Sequence, residues 1–298
     1  MGRGADTVAP EMRTEKFPVA VILAPRAIRP ALRALNDFAR AADDIADDPL
    51  LPGAERIARL DAVCAALDGK PALAPAGTAA AIAAARRLRP HLDRHGVPVA
   101  RAHDLLFGLA SEMTLTRVPT WDVLVALCRL SAVPAGRIVL GLHGEDTNDE
   151  RLVAAADALC IAFQILDHLQ DCAADYRRLD RVYVPEDWLA AAGVGADAFG
   201  LPRAGLALRD VLDHCLHGVA DLLAAADPLP GLVRNRCLAV EAGAALALAR
   251  ALADRLRRHD PVAGRVRVGP WAALPLAAAG ALSALVRNRR AGGGVERG

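Results

Sequence analysis

The sequence predicts an all-α protein, a single-domain helical bundle with a central apolar cavity, and three observations carry the helical class. Ala, Leu and Arg dominate the composition, and all three have good helix propensity. Runs of β-branched residues are few. Apolar residues recur at steps of three and four almost throughout, the period of a helix face rather than of a strand. At 298 residues the chain can bury a substantial core.

Taken in order, residues 1–15 are polar, Gly- and Arg-containing and without an apolar run, which predicts a poorly ordered N-terminus and no secretory signal. From residue 16 to residue 290 helical segments alternate with breakers: Pro25 and Pro30, Pro49 to Gly53, Gly69 to Gly77, Gly96 to Pro98, Pro119 and Gly144. Further breakers fall at Pro185, Gly193 to Pro202, Pro228 to Gly231 and Pro261 to Gly264. With no repeat and no long linker, that spacing predicts one bundle of about eight to ten helices. One helix opens near Pro30, suited to a first turn, and runs from Ala31 to Asp47 until Pro49 stops it. Another covers Glu150 to Tyr176. The stretch from Pro270 to Val286 is Ala-rich, broken by Pro275 and Gly280, and falls short of the roughly 20 strongly apolar residues of a membrane span. It predicts a buried or surface-lying helix, followed by the basic run Arg287, Arg289 and Arg290 and a poorly ordered tail over 291–298.

Charge excludes one class of partner. With 36 Lys+Arg against 35 Asp+Glu there is no field to draw the protein to nucleic acid. Lys16 and Lys70 are the only lysines, so positive charge is nearly all arginine, the better fork for phosphate oxygens. The cysteines Cys64, Cys128, Cys160, Cys172, Cys215 and Cys237 form no C-x-x-C pair and sit in apolar contexts, as reduced thiols in a cytoplasmic protein would.

The chemistry lies on two helices. From Leu159 to Ala174 nearly every residue is apolar, so the helix should be buried all round. Yet Gln164, Asp167, Asp171, Asp175 and Arg178 fall at steps of three or four and make one narrow polar line. Buried carboxylates at this spacing repel unless something positive faces them. A hard divalent cation bridged to substrate phosphate is the usual reason to gather helix carboxylates in an apolar cavity. The first helix repeats the device with Asp43 and Asp47 at i, i+4, Asp44 adjacent and Arg40 one turn before. Mg²⁺ held between the two lines by Asp43, Asp47, Asp171 and Asp175 would neutralise a diphosphate leaving group in a water-poor site.

These residues resemble the squalene/phytoene synthase family. The likeness is carried by Phe17-Pro18-Val19-Ala20, by Phe38 to Asp47, by Cys128 to Arg137, and by Gln164 to Asp175 followed by Arg181-Val182-Tyr183-Val184-Pro185-Glu186-Asp187. It spans roughly residues 15 to 260. Within the family it is strongest to the bacterial hydroxysqualene synthases, through Glu15 with Phe17-Pro18-Val19 and the segment from Ser131 to Arg137. The resemblance implies the all-α class I isoprenoid synthase fold and Mg²⁺. It implies an isoprenoid diphosphate substrate, converted with water to hydroxysqualene and diphosphate. It further implies metal-binding roles for Asp43, Asp47, Asp171 and Asp175, a diphosphate-binding role for Arg40 and a place near the diphosphate for Arg181; Gln164, which opens the second motif, Asp167 and Arg178 join them as expected substrate-binding residues. Neighbouring squalene-pathway enzymes and a peripheral contact with the inner face of the plasma membrane belong to the same expectation. Presqualene diphosphate synthase, phytoene synthase and a non-catalytic assembly role are the alternatives within the family.

Three positions depart from the family pattern: Asn36 and Leu127 replace tyrosines, and Asp167 replaces an asparagine. The loop before Arg181 is one residue longer, around Leu179-Asp180. Other signals are weaker. His91 and His95 lack the glutamate of a zinc protease motif, Gly193 to Gly200 follows no strand, and His168 falls beside the acidic line as a packing or supporting residue. The basic stretch from Arg255 to Arg267 reads as a solvated face, with contact to anionic lipid headgroups as the alternative.

Overall fold

The computed structural model describes residues 24–71 and 75–292. The expectations for residues 1–15, for Phe17 to Ala20 and for the end of the tail lie outside the described residues. Among these residues every regular element is helical, apart from one isolated bridge pairing Arg117 with Val182. The order is α1 (Arg29–Ala46), α2 (Gly53–Leu67), α3 (Ala79–Arg94), α4 (Ala100–Thr114), α5 (Trp121–Leu142) and α6 (Glu150–Leu179). After these come α7 (Glu186–Ala191), a 3₁₀ turn (Ala196–Gly200), α8 (Leu206–Ala226), α9 (Leu229–Leu232), α10 (Arg236–Arg258) and α11 (Pro270–Gly292). The count passes the expected eight to ten because α7 and α9 are only six and four residues long.

The two chemistry-bearing helices form where expected, with ends set by local chemistry. In α1 Pro30 occupies the first turn, where its missing N–H costs nothing. The helix ends at Ala46, and the Asp47 N–H closes the last turn on the Asp43 carbonyl. In α6 the Asp149 side chain caps the N-terminus by accepting from the Arg151 and Leu152 N–H groups at 3.0 and 3.2 Å. The far end runs three residues past Tyr176, through Arg177 and Arg178, whose charge suits a helix C-terminus. It stops because Asp180 turns left-handed at φ 51°, a conformation open to Asp among few non-glycine residues.

The apolar core comes in two blocks. One joins α1, α2, α3 and α4, with Phe38, Leu67, Leu88 and Leu92 fully buried. The other joins α5, α6, α8 and α10 around Leu166, Ile165, Phe199 and Leu216. Helix α5 serves both: Ile138 and Leu142 pack into the first block while Leu124, Leu127 and Leu140 pack into the second. Against α6 it approaches closely because position 136 is glycine, where a Cβ would collide with Cys160 Sγ. A buried ion group pins the same pair: Asp157, 4% exposed, accepts from Arg137 Nε at 3.1 Å, Arg137 Nη2 at 2.8 Å and Arg129 Nη1 at 3.3 Å.

Helix α10 runs alongside α6 in the same direction. The N–H groups of Arg234 and Asn235, at its start, donate to the Glu145 carboxylate just before α6 at 2.9 and 2.7 Å. Beyond its end, the Val266 carbonyl accepts from Gln170 on α6. Helix α11 lies over α10, with Gly243 and Gly280 meeting backbone to backbone. Its Leu274 and Leu282 are exposed, so of the two placements expected it is the surface-lying one. By length and composition α5 and α6 could cross a membrane, yet both are inner helices of the bundle.

Candidate active site

The packing of α1 decides which of its acids face inward. Phe38, Ala42, Ile45 and Ala46 are buried in the first block, Asp43 and Asp47 are half-buried one turn apart, and Asp44 is exposed. On α6 Ile165, Leu166, Leu169, Cys172 and Ala173 are buried, and the line Gln164, Asp167, Asp171 and Asp175 is half-buried. Each block of core therefore presents one acidic line.

The two lines meet. Burial pushes the Asp175 carboxyl up to about 7, and the negative charges of Asp171, Asp47 and Asp167 add to it, while Arg181 opposes them. Asp47 caps the end of α1, so Asp175 feels an acid from the opposite helix's end. Like charges facing one another in this way raise a carboxyl, and an opposing positive charge would relieve them.

Two arginines offset part of the charge. After the Asp180 reversal the chain runs back beside Thr116 to Val118, where the Val182 N–H donates to the Thr116 carbonyl at 2.9 Å. Arg117 holds the turn, its Nη2 donating to Asp180 Oδ1 at 2.6 Å. This course buries Arg181 to 4% exposure and aims its Nη1 at Asp47 Oδ1, 3.0 Å away. The loop after α10 supplies the second arginine: Arg265 Nη2 lies 3.0 Å from Asp171 Oδ2 and 3.7 Å from Asp167 Oδ1. The stretch from Arg255 to Arg267 is thus not merely a solvated face, and Arg265 is the residue sequence reasoning missed. Its spacing gives no clue, because contacts distant in sequence, the tether between Gln170 and Val266 among them, bring that loop to α6.

Other expected residues stand differently. Gln164 Nε2 and His168 Nε2 are 3.4 Å apart, and the His168 ring stacks on Tyr183 with centroids 3.6 Å apart. Arg40 and Arg178 are exposed and bridge no carboxylate among the described residues. Leu127 is buried in the second block at 6% exposure. Asn36 is half-buried on α1, one turn before Arg40.

Among the described residues no three His, Cys, Asp or Glu groups close on one point as a single-ion cage would require. The donor set fits ions that take one or two carboxylates and complete their shell with water and substrate phosphate, as Mg²⁺ does. All donors are carboxylate oxygens, and no thiolate joins them: burial holds Cys172, beside the line, up at about 12.

Comparisons with known proteins place the chain in a family. The sequence model of the squalene/phytoene synthase family matches residues 12–272. The chain belongs to the squalene/phytoene synthase family. Its relatives in that family include the hydroxysqualene synthase of Rhodopseudomonas palustris, 37% identical over 283 residues, covering 95% of this chain and 92% of the relative. The hydroxysqualene synthase of Zymomonas mobilis is 35% identical over 254 residues, covering 85% and 82%. Among solved structures the squalene synthase HpnC from Alicyclobacillus acidocaldarius superposes with a TM-score of 0.70 at 28% identity, covering 83% of this chain and 89% of that one. A dehydrosqualene synthase superposes at 0.76 with 19% identity, covering 92% and 93%, and speaks for the family fold. The chain is an isoprenoid synthase of this all-α class.

Proposed function

We propose that the protein is a Mg²⁺-dependent enzyme that converts presqualene diphosphate and water to hydroxysqualene and diphosphate. The observation that carries this reading is the meeting of Asp47 and Asp175, acids from separate helices, the charge of the first near enough to favour protonation of the second. The relatives named hydroxysqualene synthase support the choice of substrate.

Asp43 and Asp47 on α1, with Asp171 and Asp175 on α6, would hold the ions. Bound there, Mg²⁺ would supply positive charge to the diphosphate oxygens and make diphosphate a better leaving group. Arg181 and Arg265, which pair with Asp47 and Asp171, are placed to transfer their N–H donors to diphosphate oxygens as the aspartates take the ions. Arg40, Gln164, Asp167 and Arg178 line the approach and position the substrate head. The breaking C–O bond leaves its electron pair on diphosphate. Apolar walls then shield the carbocation until a water oxygen forms the new C–O bond and gives up one proton.

The six cysteines are free thiols, which suits a reducing, cytoplasmic setting, and the exposed leucines of α11 suit contact with the inner membrane face where such a lipid would arrive. Incubation of the purified protein with Mg²⁺ and presqualene, farnesyl or geranylgeranyl diphosphate tests the reading. Hydroxysqualene is expected from presqualene diphosphate, and its absence from that incubation would overturn the assignment.

A further inference from the structure

Glu241 lies in the second turn of α10 and is 6% exposed. Its Oε1 has no hydrogen-bond partner among the described residues, and burial alone pushes its carboxyl up to about 8. It is therefore a neutral acid at neutral pH, in an apolar setting where an unsatisfied polar group is costly. Among the described residues no ion pair, cap or polar network accounts for it.

Its direction and depth can be read from the helices around it. Gly243 and Ala247 face α11, where they meet Gly280 and Ala284. Two residues before Gly243, Glu241 sits about 200° round the helix from that contact. It points away from α11 into the bundle, on the side of half-buried Cys237, Ala245, Leu248 and Leu252. Helix α10 starts beside Glu145, ahead of α6, and the chain beyond its end is tied to Gln170. Asp171 is 21 residues beyond the start of α6 and Glu241 six beyond Asn235. At 1.5 Å per residue Glu241 therefore lies about 20 Å from the level of Asp171, toward the opposite end of the bundle.

We propose that Glu241 closes the far end of the prenyl-chain cavity and sets the chain length it admits, accepting farnesyl chains and excluding those one isoprene unit longer. The inference rests on the isoprenoid diphosphate reading of the aspartate site, which fixes the polar head at the other end. A buried acid with an open acceptor recruits water. A chain long enough to reach it would strip that water and offer no hydrogen bond in return, whereas a chain that stops short would leave it undisturbed.

Binding of the non-ionising farnesyl and geranylgeranyl thiolodiphosphates to the full chain with Mg²⁺, measured by calorimetry, tests this without requiring turnover. The native protein is expected to prefer the farnesyl analogue by about tenfold. Glu241→Gln, which keeps the size and the hydrogen bonding, should retain that preference. Glu241→Ala should reduce it to within about threefold. Should Glu241→Ala lose its helical circular dichroism, Glu241→Leu, similar in size and apolar, should relax the preference in the same direction. An unchanged ratio in the apolar variants, or no preference in the native protein, overturns the inference. Failure of the native protein to bind either analogue overturns instead the reading of the aspartate site on which it stands.

Discussion

Arg181 reaches across 134 positions of sequence to pair with Asp47 at 3.0 Å, and the bond joins the end of α1 to the segment leaving α6. One guanidinium thus ties the first acidic line to the chain that leaves the second.

Removing it should be felt twice. Arg181→Leu removes this donor from Asp47, and the loss of a charged hydrogen bond should lower stability by about 1.5–3 kcal/mol. Turnover should fall by about a hundredfold or more through loss of a diphosphate donor. Thermal unfolding and diphosphate release measure the two effects. Arg181→Lys should recover most of the stability and little of the rate, because an ammonium cannot reproduce the fork.

Asp175 lends itself to a pH test. Its folded value of about 7 lies above the ordinary 3.8, so between these values the folded chain holds a proton that the unfolded chain has lost. Its contribution to the stability of the metal-free protein therefore declines as pH rises from about 3.8 and levels off above about 7. Asp175→Asn, which carries no such proton, should raise the melting temperature of the metal-free protein most clearly above neutrality while abolishing turnover. Melting curves across pH, with and without Mg²⁺, would show it. A variant less stable than the native protein at pH 8 would contradict the crowding argument.

Arg265 competes with any cation for Asp171. Its side chain is 34% exposed, so the pair contributes at most about 1 kcal/mol to folding, and Arg265→Ala should melt close to the native temperature. With this competing arginine removed, the aspartates should bind Mg²⁺ more tightly in the absence of substrate, a shift visible by titration calorimetry. Substrate affinity should drop in the same variant, through loss of a phosphate donor. Weaker Mg²⁺ binding in Arg265→Ala would remove the residue from that competing role.

Gly136 offers a purely mechanical control. A methyl group there would meet Cys160 Sγ and force α5 from α6, so Gly136→Ala should cost about 1–3 kcal/mol. Gly136→Ala combined with Cys160→Ala should regain a large part of that loss. Chemical denaturation of the single and double variants decides it.

The helices were legible from sequence because their signals are local. Pro30 marks the start of α1, and the narrow polar line through an apolar run marks α6 and its buried surroundings. The acids could be named because two such lines demand a counter-charge. What sequence could not reveal was contact at a distance. Arg265 sits in a loop whose place depends on the Gln170 tether, and Glu241 gains its meaning only from the relative direction of α6 and α10. The last three residues of α6 lie beyond the expected end at Tyr176 because the stop is made by the left-handed backbone of Asp180, which no breaker residue in the sequence marks.

The division of the apolar interior at α5 has a mechanical consequence. Each half is packed around its own oily centre, so the acids confront one another only along the seam where the halves join. A cation lodged in that seam would act as a rivet between two separately packed units.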